Sequence, residues 1–207
     1  MNDISKRLYK KILGIRAGIV DRLESSRLSF LLSEDKIAVL HIRRFYDFRY
    51  PIVQKRYIPH KLLKYVERKT KIKLKMVPRF FTFTSKNSAD VHSCMDKDMA
   101  KTIIGSDFDK SKFAYYLRNA YVLMPLPVFN DRRLRKIVLI HELTEVVIHQ
   151  WLLDNICPDG YSHDVACDVE ECFINRYGWK SNDVIKRGRQ MMKNPANWGN
   201  VSGCQEG

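Results

Sequence analysis

Apolar and polar positions alternate with two different periods along this chain. Ile4, Leu8, Ile12, Ile15, Ile19 and Leu23 recur at steps of four and three, with Lys6, Arg7, Lys10 and Lys11 off the stripe. That is an amphipathic helix, whose apolar face can pack on the fold, lie on a membrane or meet a partner helix. Residues 37–42 are an almost continuous apolar run and read as a buried strand. Residues 43–57 interleave arginines with Phe45, Tyr46, Phe48, Tyr50 and Tyr57. Such a stretch can stack nucleobases and neutralise phosphates, or be an ordinary strand and loop with snorkelling arginines. Pro59 ahead of Leu62, Leu63, Tyr65 and Val66 predicts a short helix. Residues 71–76 alternate lysine with an apolar residue, which predicts a half-buried strand. Residues 79–84 predict another, with Phe81 and Phe83 on one side.

Residues 86–98 are polar and read as a loop that holds His92 and Cys94. A short helix is expected over 98–104, stopped at Gly105. Residues 121–124 read as a strand closed by Pro125 and Pro127. Asn130 or Asp131 then caps a long apolar helix running to about Leu153. Asp154, Asn155, Pro158, Asp159 and Gly160 make a turn. A second helix follows from about Ser162 to Tyr177 and ends at Gly178. Residues 182–189 suggest one more helix, and the remainder to Gly207 a poorly ordered tail. The expected class is α+β, a small and mostly antiparallel sheet packed with helices. Strands at 37–42, 72–76, 81–84 and 121–124 would form that sheet. The expected organisation is a basic region over 1–80, a metal-site region over 81–178 and a C-terminal tail over 179–207, within one compact domain.

Charge divides the chain unevenly. Of the formal net charge of +14, residues 1–80 contribute all, with 21 Lys/Arg against 7 Asp/Glu, while residues 81–207 balance at 16 and 16. A basic field of this size favours a polyanionic partner, nucleic acid or an anionic membrane surface; the plainer reading is a solvated face. Five cysteines, Cys94, Cys157, Cys167, Cys172 and Cys204, leave no even framework and point to a reducing compartment. Charges interrupt the N-terminal apolar positions, so no signal peptide is expected. The longest apolar stretch, 120–129, holds two prolines and is too short to span a bilayer. A soluble, cytoplasmic protein is the expectation.

The long helix carries the candidate chemistry. Ile137, Val138, Leu139, Ile140, Leu143, Val146, Val147, Ile148, Trp151 and Leu152 make it apolar on most sides, so it should be buried. His141, Glu142, Glu145 and His149 within it must then be satisfied. His141, Glu145 and His149 share a face at i, i+4 and i+8, and His141 and Glu145 can point at one ion. Glu142 lies about 100° further round, where it can act as a general base without being a ligand. His163, on the second helix, is the best third ligand. Cys167 and Glu170 are placed to line the same side: Cys167 as an alternative ligand, Glu170 to orient a ligating histidine. Without an ion, His141 and Glu145 would form a buried hydrogen-bonded pair.

The order of a strand and then His141-Glu142-Leu143-Thr144-Glu145 resembles the zincin metallopeptidases, with a glutamate where their second histidine stands. The chain is more similar to phage and mobile-element proteins with a zincin-like core, whose pattern is His-Glu-x-x-Glu followed by His-x-x-Ala-x-x-x-Glu. Here the second part is His163, Ala166 and Glu170. The resemblance covers roughly residues 115–177. It implies a metal held by His141, Glu145 and His163, with Glu142 as base, on an active-site helix followed by a second metal-site helix. Zinc is the expected ion; the glutamate ligand also admits Mn or Fe. The function implied is a metal-dependent hydrolase, a peptidase acting on protein or peptide. The alternative is a non-catalytic, basic nucleic-acid-binding accessory protein of a phage or mobile element. A Mg²⁺ nuclease using Glu142, Glu145 and Glu170 fits the leading histidine and the apolar helix less well.

Overall fold

The computed structural model describes residues 34–85, 91, 98–103, 120–152 and 161–198. The stripe over residues 4–23, the pair His92 and Cys94, the turn after the long helix, Cys157 and Cys204 lie outside the described residues. The fold is α+β. Helix α1 spans Glu34–Tyr46, strand β1 Pro51–Arg56, helix α2 His60–Thr70, strand β2 Arg79–Ser85, strand β3 Lys101–Ile103 and strand β4 Tyr121–Pro125. Helix α3 spans Leu126–Asn130, α4 Arg132–Leu152, α5 Tyr161–Ile174 and α6 Ser181–Lys193, with 3-10 turns at Asn175–Tyr177 and Pro195–Trp198.

The sheet is mixed, in the order β1-β2-β4-β3. β1 and β2 are antiparallel, β2 and β4 parallel, β4 and β3 antiparallel. β2 and β4 are central and buried along nearly their whole length; β4 is apolar throughout, while β2 buries Thr82, Thr84 and Ser85 among its phenylalanines. One face of the sheet meets α1: the ring of His41 stacks on Tyr121 and that of Tyr46 packs on Phe83. The other face meets α3 and α4, through Phe80 against Phe129 and Thr102 against Glu142.

Residues 37–42 are helical, not a strand. A short apolar run fits either element. Here Glu34 and Asp35 open the helix and Arg43 and Arg44 close it, each matching the helix dipole. The buried set Ile37, Ala38, His41, Ile42 and Tyr46 follows a helical stripe. The strand lies instead at β1, inside the basic and aromatic stretch. Of the helix expected over 98–104, the described residues 98–103 are not helical: Thr102 and Ile103 of β3 pair with Val122 and Tyr121 of β4, a tertiary pairing that local pattern does not announce.

Residues 71–76 keep their alternation but form no strand. Lys71, Lys73 and Lys75 are exposed while Ile72 and Leu74 are half-buried. Side chains replace the missing ladder. Thr70 Oγ1 accepts from Ile72 N, Glu67 Oε1 from Leu74 N, and Gln150 Oε1 from Lys75 N and Met76 N. Gln150 Nε2 in turn donates to Met76 O at 2.8 Å. The predicted sheet of 37–42, 72–76, 81–84 and 121–124 therefore keeps only its last two members.

The C-terminal part is also more ordered than its sequence suggests. Helix α6 extends to Lys193, and Trp198 is buried, its indole Nε1 donating to Met192 O at 2.9 Å. Trp198 O accepts from Thr84 Oγ1 at 2.6 Å, tying this turn to β2. A lone tryptophan in a polar tail carries no periodicity that would reveal its docking.

Candidate metal centre

Helix α4 is fixed first. Asp131 Oδ1 accepts from the backbone N–H of Arg133 and Leu134 at 2.9 and 3.0 Å, satisfying two donors that the first turn would leave open. Asp131 Oδ2 accepts from Arg187 Nε at 2.9 Å, which attaches α6 to the start of α4. Burial pushes the Asp131 carboxyl up, and the backbone and Arg187 hydrogen bonds outweigh it, so its pKa lies below the usual range. Gly188 leaves room for the Met99 side chain between α6 and β3: a Cβ there would stand 1.9 Å from Met99 Sδ. Helix α6 thus becomes the wall of a cleft of about 570 Å³ whose other sides are β3, α4 and α5.

His141, Glu145 and His163 meet in this cleft, one potential donor atom of each lying within 4.8 Å of the others. His141 Nε2 is 3.4 Å from Glu145 Oε1, and His163 Nδ1 is 3.1 Å from the same oxygen. Tetrahedral zinc with bonds of about 2.0–2.1 Å holds its donors roughly 3.3 Å apart, so these separations suit such an ion. The donor set, two imidazole nitrogens and a carboxylate, suits zinc chemically too. His141 Nδ1 donates to Glu170 Oε2 at 2.8 Å. That contact fixes the ring's tautomer and turns Nε2 toward Glu145. His163 is the outermost member, its side chain 63% exposed against 15% for His141 and 19% for Glu145.

The same distances are hydrogen-bonding distances, and they set the protonation of the metal-free cluster. Burial pulls the His141 pKa down. Hydrogen bonds to Glu145 and Glu170, then the charges of Glu142 and Glu170, overcome this and raise it to about 10. His141 is then an imidazolium among carboxylates. Glu145 is pushed up by burial and pulled further down by its contacts with His141 and His163. A proton on His141 and a divalent cation are thus competing ways to balance one concentrated negative charge.

Glu142 is only 6% exposed and sits beside this group on the sheet side of the helix. The Thr102 hydroxyl contacts both its Oε2 and its backbone carbonyl. Burial and the Glu145 charge raise its pKa to about 7 against the pull of Thr102 and His141. Cys167 Sγ is 3.6 Å from His163 Nε2, on the side of the ring away from Glu145; burial pushes its thiol up. His149 stands apart from the group, its Nε2 at 3.0 Å from Ser162 Oγ.

Sequence reasoning missed Thr102, whose strand it took for a helix, and the wall formed by Val184, Ile185, Arg189 and Met192 of α6. The spacing Val184, Gly188, Met192 is a buried helical face, which could have signalled that α6 packs. Nothing in the sequence says that it packs beside His141. Comparison of the chain with known protein families, with curated proteins and with solved structures returned no match.

Proposed function

We propose that this protein is a metal-dependent hydrolase, with zinc as the ion and peptide as the substrate, built on a zincin-like plan. The observation that carries the reading is the convergence of His141, Glu145 and His163 beside a buried Glu142 at one cleft. In this reading His141, Glu145 and His163 would hold a zinc ion, which would supply Lewis acidity to the scissile carbonyl and to the attacking water. Glu142 takes the proton from that water as its oxygen bonds to the carbonyl carbon. When the C–N bond breaks, Glu142 returns the proton to the leaving amine. Thr102 holds the Glu142 carboxyl in place, and Glu170 orients His141.

The peptide assignment rests on β3. It is an edge strand of the sheet and lines the cleft. Among the described residues its outer edge has no strand partner, so an extended peptide can pair with it by main-chain hydrogen bonds.

The test is metal analysis of protein purified without a histidine tag. Wild type should hold about one zinc per chain. Glu142→Gln should keep the zinc and lose turnover of a peptide library by about 10²–10⁴-fold. Zinc content far below stoichiometric at neutral pH would sink the metal reading. Stoichiometric zinc with no peptide turned over would sink the hydrolase reading and leave the ion a structural clamp between α4 and α5. The second reading, a basic nucleic-acid-binding accessory protein, is favoured by a separate observation, the concentration of charge before residue 81.

A further inference from the structure

Of the +14 carried before residue 81, +6 falls within residues 60–75. Residues 60–75 hold seven Lys/Arg (Lys61, Lys64, Arg68, Lys69, Lys71, Lys73, Lys75) and one acid, Glu67. All seven cations are exposed. Lys61, Lys64 and Arg68 fall at i, i+3 and i+7 on α2, one outer face of a helix whose Leu62, Leu63, Tyr65 and Val66 are buried. Lys71, Lys73 and Lys75 continue the row on the segment beyond. That segment is anchored by Glu67 and by Gln150, itself only 1% exposed. The cations are therefore displayed on a fixed backbone.

We infer that the ridge formed by α2 and residues 71–75 is a binding site for the phosphate backbone of nucleic acid, read without regard to sequence. An 11-residue helix is about 16 Å long, a length over which a duplex carries roughly nine phosphates. The chemistry fits a phosphate chain better than a lipid surface. An interfacial helix must offer its apolar face to the acyl chains, and the apolar face of α2 is already buried in the core. Tyr57, 79% exposed just ahead of α2, offers a stacking face for an unpaired base at the end of the ridge.

The ridge and the metal cluster are on different sides of one helix. Gln150, which holds residues 75 and 76, is nine positions after His141, about 180° round α4. A nucleic acid on the ridge would leave the cleft open. The inference thus names the polyanionic partner but stands or falls independently of the hydrolase reading.

The experiment is fluorescence anisotropy with labelled 20-nucleotide random-sequence DNA, single-stranded and duplex, titrated with full-length protein. Neutralising about five phosphates gives a log–log salt slope of about −4.5, a loss of several hundred-fold between about 50 and 200 mM salt. The variant K61E/K64E/R68E should bind at least about ten-fold more weakly. K71Q/K73Q/K75Q should weaken binding in the same direction, which guards against a folding defect in the first. The charge-matched control R132E/K186E/K193E, on α4 and α6, should stay within about three-fold of wild type. His163→Ala should also bind as wild type does. Absence of binding at low salt, equal losses in the ridge and control variants, or capture by anionic phosphatidylserine vesicles without DNA binding would each overturn the inference.

Discussion

The candidate metal cluster and the basic ridge pose opposite electrostatic problems on two sides of α4. In the cluster, His141, Glu145, His163 and Glu170 converge until their polar atoms are about 3 Å apart, partly shielded from water. Glu145 and Glu170 both contact His141, and their negative charge is balanced by a proton on that ring or by a cation in its place, so the cluster draws its counter-charge inward. On the ridge, seven exposed cations lie along a helix and an extended segment, Lys64 paired with Glu67 at 3.6 Å and Arg68 over the Tyr65 ring. Water screens them from one another, so the ridge can wait for an extended counter-charge outside.

The comparison can be broken most sharply at the cluster. His141→Ala removes the ligand that Glu145 and Glu170 both hold, and zinc content should fall from about one per chain to background, measured by atomic emission after dialysis. DNA binding should be unchanged. Glu170→Gln should weaken zinc by about 10–100-fold, as loss of a contact orienting a histidine does. Competition with a chromophoric chelator would read it, and an unchanged affinity would remove Glu170 from the site.

Gln150→Leu attacks the ridge from inside. It leaves the N–H groups of Lys75 and Met76 without their acceptor, costing about 1–3 kcal/mol of stability by urea denaturation. It should weaken DNA binding while zinc affinity is preserved. Equal loss of both would mean that α4 cannot separate the two regions.

The last effect concerns acid and leaves both regions untouched. Burial, with Arg44 nearby, lowers His41 to about 3, below its unfolded value of about 6.5. The unfolded chain then binds a proton that the folded chain refuses. His41 therefore adds stability fully above about pH 6.5, and this is lost at about 1.4 kcal/mol per unit as pH falls toward 3. Between about pH 7 and 5, His41→Gln should flatten the decline of the urea midpoint. An identical decline in wild type and variant would show that His41 does not contribute.

How far the sequence could be read depended on whether each element owed its form to its own residues. The long helix was legible because its period and its cap, Asp131, are local. Residues 121–124 were legible because a central strand is apolar along its length, and residues 79–84 because Phe81 and Phe83 recur at the strand period. Residues 37–42 were not, since five apolar residues and a histidine suit a strand or a helix equally and only the fit of His41 against Tyr121 and Ile42 in the core decides. Thr102 was hidden for the same reason: three residues make a strand only when β4 lies beside them. Alternation over 71–76 correctly gave the exposed lysines but not the bonding, because Gln150 is 74 residues from Met76.

The sequence alone determined the helices that carry His141, Glu145 and His163, the spacing that lets the first two share a face, and the placement of charge before residue 81. These follow from periodicity and composition, which are properties of neighbours in the chain. Tertiary structure decided that Thr102 meets Glu142, that α6 closes the cleft through Gly188, and that the lysine row is fixed behind the helix that carries the cluster. Those are contacts between residues far apart in sequence, selected by packing and by the need to satisfy buried polar groups.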